Sequence, residues 1–140
     1  MKRSFIAMLL IVLIAACVFV SCKNEPGAGE KWVCTYSDTE TDEEGTYDVI
    51  ITATLEFDGK GGVTMTTHLD SMKMGGVEMI DLIPESMKTD VMTGTYTDTE
   101  ITFTYKEEEG IAVTEKGSYT ISGNKLTVTA EGETHVFTKQ

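Results

Sequence analysis

Tyr47-Asp48-Val49-Ile50-Ile51-Thr52-Ala53-Thr54-Leu55-Glu56-Phe57 is the stretch that decides the fold. Tyr47, Val49, Ile51, Ala53, Leu55 and Phe57 take every second position. Asp48, Thr52, Thr54 and Glu56 lie between them, with Ile50 the one apolar exception. A period of two sends alternate side chains to opposite faces of a pleated strand. One face is therefore apolar and the other wet, as in an antiparallel sheet laid on a core.

The alternation returns after each turn signal on either side of this stretch. Asp58-Gly59-Lys60-Gly61-Gly62 reverses the chain into Val63, Met65 and Leu69. Ile101, Phe103 and Tyr105 mark another strand, ended by a turn at 107–110, and 111–121 follows. Ser122-Gly123-Asn124 reads as a hairpin turn into Leu126, Val128 and Ala130, and Glu131-Gly132 turns again into 135–138. With 31–37 and 91–97 this makes about eight strands joined mostly by hairpin-length connections. Threonine recurs on the outward positions (Thr52, Thr54, Thr64, Thr66, Thr102, Thr104, Thr127, Thr129), where its branched carbon suits a strand and its hydroxyl suits water. Gly45-Thr46-Tyr47, Gly94-Thr95-Tyr96 and Gly117-Ser118-Tyr119 share a Gly-hydroxyl-Tyr start, a weak internal repeat.

Eight strands with one apolar face each bury it by closing on themselves, which also removes exposed edges. The expected fold is all-β, an antiparallel up-and-down barrel of about eight strands over 31–140. One segment departs from the period. Within 70–90, Gly75-Gly76 precedes Val77, Ile80 and Ile83, which share one side of about two helical turns ended by Pro84. A short helical or looped insertion is expected there.

The chain opens with Lys2 and Arg3, an apolar run from Phe5 to Val20, and then Val20-Ser21-Cys22. The run is short for a bilayer span and suits a signal segment. A small residue before cysteine resembles the lipobox of bacterial lipoproteins, which implies removal of 1–21 and acylation of the Cys22 thiol. Residues 22–30 then form a tether to the barrel. Lys23 after the acylated cysteine points by the same resemblance to the outer membrane, with the periplasmic or surface side left open.

The barrel itself resembles the lipocalin-like domains of small lipoproteins from Gram-negative bacteria. The residues carrying the resemblance are Trp32, Leu55-Glu56-Phe57-Asp58-Gly59, and the stretch from Gly117-Ser118-Tyr119 to Leu126-Thr127-Val128. Two departures stand out. Gly29-Glu30-Lys31-Trp32 has one residue more than the Gly-x-Trp of lipocalins, and the late arginine that stacks on that tryptophan is absent. The resemblance implies a membrane-tethered binder of a small apolar ligand.

Charge excludes other classes. The chain carries 11 basic and 23 acidic residues, a formal net charge of −12, and removal of 1–21 takes Lys2 and Arg3 with it. Arg3 is the only arginine, so the mature chain has none, which argues against nucleic-acid partners and phosphorylated ligands. Cys34 is the one cysteine left beyond Cys22, alternating with Trp32 and Tyr36 as a buried strand position would.

An eight-stranded barrel has the size at which side chains fill the interior or leave room for one small ligand. Trp32, Tyr36, Tyr47, Phe57, Phe103, Tyr105, Tyr119 and Phe137 are the inward rings. The methionines of the mature chain, Met65, Met72, Met74, Met79, Met87 and Met92, fall in one window, and flexible thioethers suit an adaptable lid. Met65, Met72, Met74, Met79, Ile80, Ile83, Met87 and Tyr105 are the expected ligand-binding residues, with 72–87 gating the mouth.

Met65, His68, Met72 and Met74 offer donors for Cu(I), but the spacing fits no strict motif and His68 falls on the wet face. The acidic run Asp38, Glu40, Asp42, Glu43, Glu44 and Asp48 lacks the glycine and terminal glutamate of an EF-hand, so a solvated loop is expected. No metal, cofactor or catalytic residue is expected, because neither His68 nor His135 sits in a nucleophile or metalloprotease motif. A second functional class stays open, in which the acidic loops capture a cationic protein.

Overall fold

The computed structural model describes residues 25–106 and 110–140. Residues 1–21, Cys22, Lys23 and the acidic triplet 107–109 lie outside the described residues. The strands in chain order are β1 Lys31–Thr41, β2 Thr46–Phe57, β3 Gly62–Met74, β4 Val77–Glu78, β5 Thr89–Tyr96, β6 Glu100–Lys106, β7 Ala112–Ser122, β8 Lys125–Ala130 and β9 Glu133–Lys139. All except β4 form a closed eight-stranded antiparallel barrel. Each pairs with the next in sequence, β3 with β5 across the insertion, and β1 with β9 closes the ring. The short β4 is an extra strand paired to the end of β3.

The period of two appears as burial. Along β2, Tyr47, Val49, Ile51, Ala53, Leu55 and Phe57 are buried, whereas Ile50 faces outward. The inward side chains form two clusters. The larger fills the barrel around Trp32, Leu55, Phe57, Phe103, Leu126 and Phe137. The smaller joins Tyr47, Val49, Ile51 and Leu69 to Met72, Ile80 and Ile83. Each fully buried Leu or Phe contributes about 1.5–3 kcal/mol of burial free energy. On the outside, threonines pair across strands through their hydroxyls, Thr35 with Thr52 at 2.8 Å and Thr104 with Thr114 at 3.1 Å. Such cross-strand pairs contribute about 0.2–1 kcal/mol each.

One end of the barrel is closed. There Phe57 meets Tyr96 edge-on at 4.9 Å, and Tyr119 donates its hydroxyl to the Thr97 carbonyl at 2.5 Å. Residues 25–30 cross this end, where Gly29 donates to the Phe57 carbonyl and Phe57 donates back to that of Glu30. At the other end β1, β2 and β3 run on beyond their neighbours, and the insertion folds over them.

The structure corrects three boundaries. β1 reaches Thr41 and β3 reaches Met74, both longer than the alternation suggests, because pairing continues through Glu40↔Tyr47 and Tyr47↔Met74. Half of the acidic run is therefore strand, with Asp38 and Glu40 on β1 and Asp48 on β2. Only the turn at its centre is a loop, where Asp42 accepts the backbone N–H groups of Glu44 and Gly45. The insertion has no two-turn helix. Val77 lies in β4, Ile80–Leu82 form a single 3-10 turn, and Pro84 starts the four-residue helix α1, Glu85–Lys88, instead of ending one. A proline lacks the N–H that a helix start leaves unpaired in any case, which explains its place.

Two substitutions test this packing. A β-carbon on Gly94 would stand 2.3 Å from the Thr102 carbonyl oxygen and 2.7 Å from the Phe103 ring. Gly94→Ala is expected to cost at least about 1–3 kcal/mol in urea unfolding. In the tight β8–β9 turn, Glu131 has φ 46, a conformation that asparagine adopts more readily. Glu131→Asn is expected to raise stability by about 1 kcal/mol. An unchanged or lower midpoint for Glu131→Asn contradicts this reading of the turn.

Candidate functional site

Closure leaves a small space inside the upper half of the barrel, about 50 Å³. Its walls are mainly apolar, with Ala53, Leu55, Met65, Phe103 and Phe137 among them, and Tyr36, Glu115, Glu133 and His135 stand at its polar side. Alternation explains how those polar groups arrive. Counting back by twos from Tyr119 on β7 puts Glu115 inward, and counting back from Phe137 on β9 does the same for His135 and Glu133. Gly117 widens the space between them.

The β1–β9 seam shapes this side of the cavity. The ladder pairs Trp32 with Lys139 and Val33 with Thr138 near the closed end. Farther up, the Tyr36 and His135 rings bridge the strands at 5.1 Å, and within β9 His135 Nε2 lies 3.4 Å from Glu133. Tyr105 donates to Glu115 Oε1 at 2.5 Å, which gives that buried carboxylate a fixed orientation. The Tyr36 hydroxyl is buried and has no hydrogen-bond partner within the described protein. Burial first, then the charge on Asp38, pushes its titration far above the usual phenol range, so it stays a donor at any working pH. Burial likewise pushes up the Cys34 thiol, which makes it a poor nucleophile.

The expected ligand-binding residues separate into groups. Met65 lines the cavity, and Tyr105 packs on its polar end through Glu115. Met72, Ile80 and Ile83 pack together on the second cluster, above the cavity. Met79 is partly buried at the start of the 3-10 turn. Met74 lies against Gly45, and Met87 on α1 is 40% exposed; neither reaches the interior. The gating segment thus covers the mouth with Ile80, Ile83 and Met72, while two of its four thioethers, those of Met74 and Met87, point elsewhere. Cys22 lies outside the described residues.

His68 and Met65 project from opposite faces of β3, so the copper-type donors are not brought together. His68 bonds Thr89 Oγ1 at 2.8 Å on the outside. Among the described residues no three His, Cys, Asp or Glu side chains converge as a metal-holding group. Tyr36 is an inward ring as the alternation suggests, whereas the inward placement of Glu115, Glu133 and His135 escaped the sequence reading. Their signal was the parity of their positions, masked because a charged or polar residue on an apolar face reads as a break in the pattern.

No protein-family model, no curated protein and no solved structure matches the chain.

Glu40 gives the site a pH signature. It is 8% exposed at the open end of β1, and burial, then Asp38 and Asp42, raise its pKa above the ordinary carboxylate value. A carboxyl whose pKa is raised in the folded state contributes its stability in full below its unfolded pKa and loses that contribution as pH rises through the folded value. Glu40→Gln is therefore expected to raise the melting temperature by a few degrees at pH 7. The gain should shrink on acidification to about pH 4, where the parent carboxyl is itself protonated. A gain that persists there unchanged contradicts the assignment.

Proposed function

We propose that this chain is a lipid-anchored, non-catalytic lipocalin-like binder that buries the apolar part of a small amphipathic molecule in its barrel. The observation that carries the reading is the interior space itself, apolar on most sides with a few convergent polar groups, the usual anatomy of a small-ligand site. The Tyr36 hydroxyl supplies a fixed donor without a partner among the described residues, the kind of buried group that calls for one. A cavity of about 50 Å³ takes only a short apolar moiety. A longer one enters when the insertion lifts, and the insertion is suited to lifting. Neither its 3-10 turn nor α1 contains a buried residue, and Leu82 is 73% exposed.

Two features support the lipocalin-like reading. Eight strands in up-and-down order match the architecture, and Lys139 Nζ lies 5.7 Å from the Trp32 ring centroid. A cation from the last strand thus covers the tryptophan of the first, where the resemblance implies an arginine. The anchor reading rests on Cys22 and places the protein in the cell envelope, at the outer membrane. The alternative, capture of a cationic protein, draws on the carboxylates crowded at the open end, Asp38, Glu40, Asp42, Glu43 and Glu44.

The two readings part in salt. A neutral apolar dye such as N-phenyl-1-naphthylamine should bind saturably, with affinity nearly unchanged between about 0.05 and 0.5 M salt, because apolar burial is not screened. Ala53→Leu, which fills the cavity wall, should abolish the uptake while unfolding stays cooperative. Uptake that survives Ala53→Leu, or the absence of uptake by the parent protein, contradicts the cavity reading. Capture of a cationic protein that weakens steeply over the same salt range would favour the alternative.

A further inference from the structure

Residues 26–30 are not a free linker. Pro26 is buried, and Ala28 lies so close to Gly59 that a β-carbon there would stand 2.7 Å from its own. Gly29 donates to Phe57 at 2.7 Å, and the Glu30 carboxylate is hydrogen-bonded and ion-paired to Lys139. The chain is thus fastened across the closed end from Pro26 onward. Between Cys22 and Glu25 the backbone spans at most about 11 Å when fully extended.

Charge is distributed unequally along the barrel axis. Lys31, Lys60, Lys125 and Lys139 are all exposed at the closed end. Glu25, Glu30, Glu56, Asp58, Asp98 and Glu100 share that end, where Glu56 pairs with Lys31, Glu30 pairs with Lys139, and Asp58 accepts backbone N–H groups of Lys60 and Gly62, so the closed end is near charge balance with a small negative excess. At the open end, among the described residues, Lys73, Lys88 and Lys106 accompany Asp38, Glu40, Asp42, Glu43, Glu44, Asp48, Glu78, Asp81, Glu85, Glu131 and Glu133. Most of the net charge of the chain therefore sits at the end farthest from residue 25. The strand exteriors carry threonine and charge, the reverse of the apolar band that a lipid-exposed barrel needs, so the barrel itself belongs in water.

We propose that the closed end is a bilayer-facing surface: the acylated chain holds the barrel upright, with Lys31, Lys60, Lys125 and Lys139 over the headgroups and the acidic mouth pointing away from the membrane. The inference rests on acylation of Cys22. Carboxylates are repelled by an anionic leaflet and the repulsion fades within a Debye length, so the near-balanced closed end approaches the headgroups at far less cost than the acidic mouth, and the short reach from Cys22 makes that difference effective. Its consequence is functional. Ligand enters and leaves from the aqueous side, and it is not drawn sideways from the leaflet that carries the anchor.

The test uses the acylated protein purified from membranes and reconstituted into phosphatidylethanolamine/phosphatidylglycerol vesicles with nitroxide-labelled headgroups. In a Cys34→Ser background, a fluorophore is placed at Lys60→Cys or at Glu43→Cys. Quenching at position 60 is expected to exceed that at position 43 severalfold. Inserting a dozen Gly/Ser residues between Asn24 and Glu25, a flexible reach of about 20 Å, should bring the two towards equality. Equal or reversed quenching in acylated protein that floats with the vesicles overturns the orientation and leaves the anchor standing. A chain mass without acyl additions, or failure to float, overturns both.

Discussion

Everything in this molecule depends on the seam between β1 and β9. A sheet with one apolar face and one wet face has two unpaired edges, and both problems vanish together when the first strand meets the last. The ladder that accomplishes this is short, two register pairs near the closed end. Side chains and termini reinforce it. Lys139 covers Trp32 and pairs with Glu30, and the Gln140 N–H donates to the Lys31 carbonyl at 2.9 Å. Above those pairs the two strands are joined by the Tyr36 and His135 rings, and the interior space opens beside them. The same feature thus closes the fold and leaves the site.

Much of the fold was legible because period two is a local signal. Tyr47 to Phe57 declares its buried face without help from the rest of the chain, and each Gly-containing turn then fixes the next reversal. Closure followed from the number of one-faced strands and the edge problem. Boundaries at the open end were not legible. Asp38, Glu40 and Asp48 look like loop residues by charge, yet pairing across Glu40↔Tyr47 holds them in strands. The insertion misled for a related reason. Val77, Ile80 and Ile83 have helical spacing, but Gly75-Gly76 turns the chain back along β3, where Val77 and Glu78 pair with Met74 and Lys73 and so stand outside any helix.

The candidate site was only half visible. Met65 is inside because it shares the parity of Val63 and Leu69. The other methionines were grouped by composition, which says nothing about direction, and the structure scatters Met74 and Met87 to the surface. Glu115, Glu133 and His135 obey the parity rule but contradict the expectation that inward means apolar. Burial of Glu115 is made tolerable by the hydroxyl of Tyr105, a partner that only register brings near. Function concentrates where the chemistry of a residue and its position disagree.

The most direct test of the central claim, that this barrel holds a small ligand, is native mass spectrometry of the protein purified from its membrane, followed by solvent extraction. The account predicts a reproducible extra mass, beyond the anchor, that extraction removes. A bare chain plus anchor, with no removable mass, would contradict it and mark the interior as packed core.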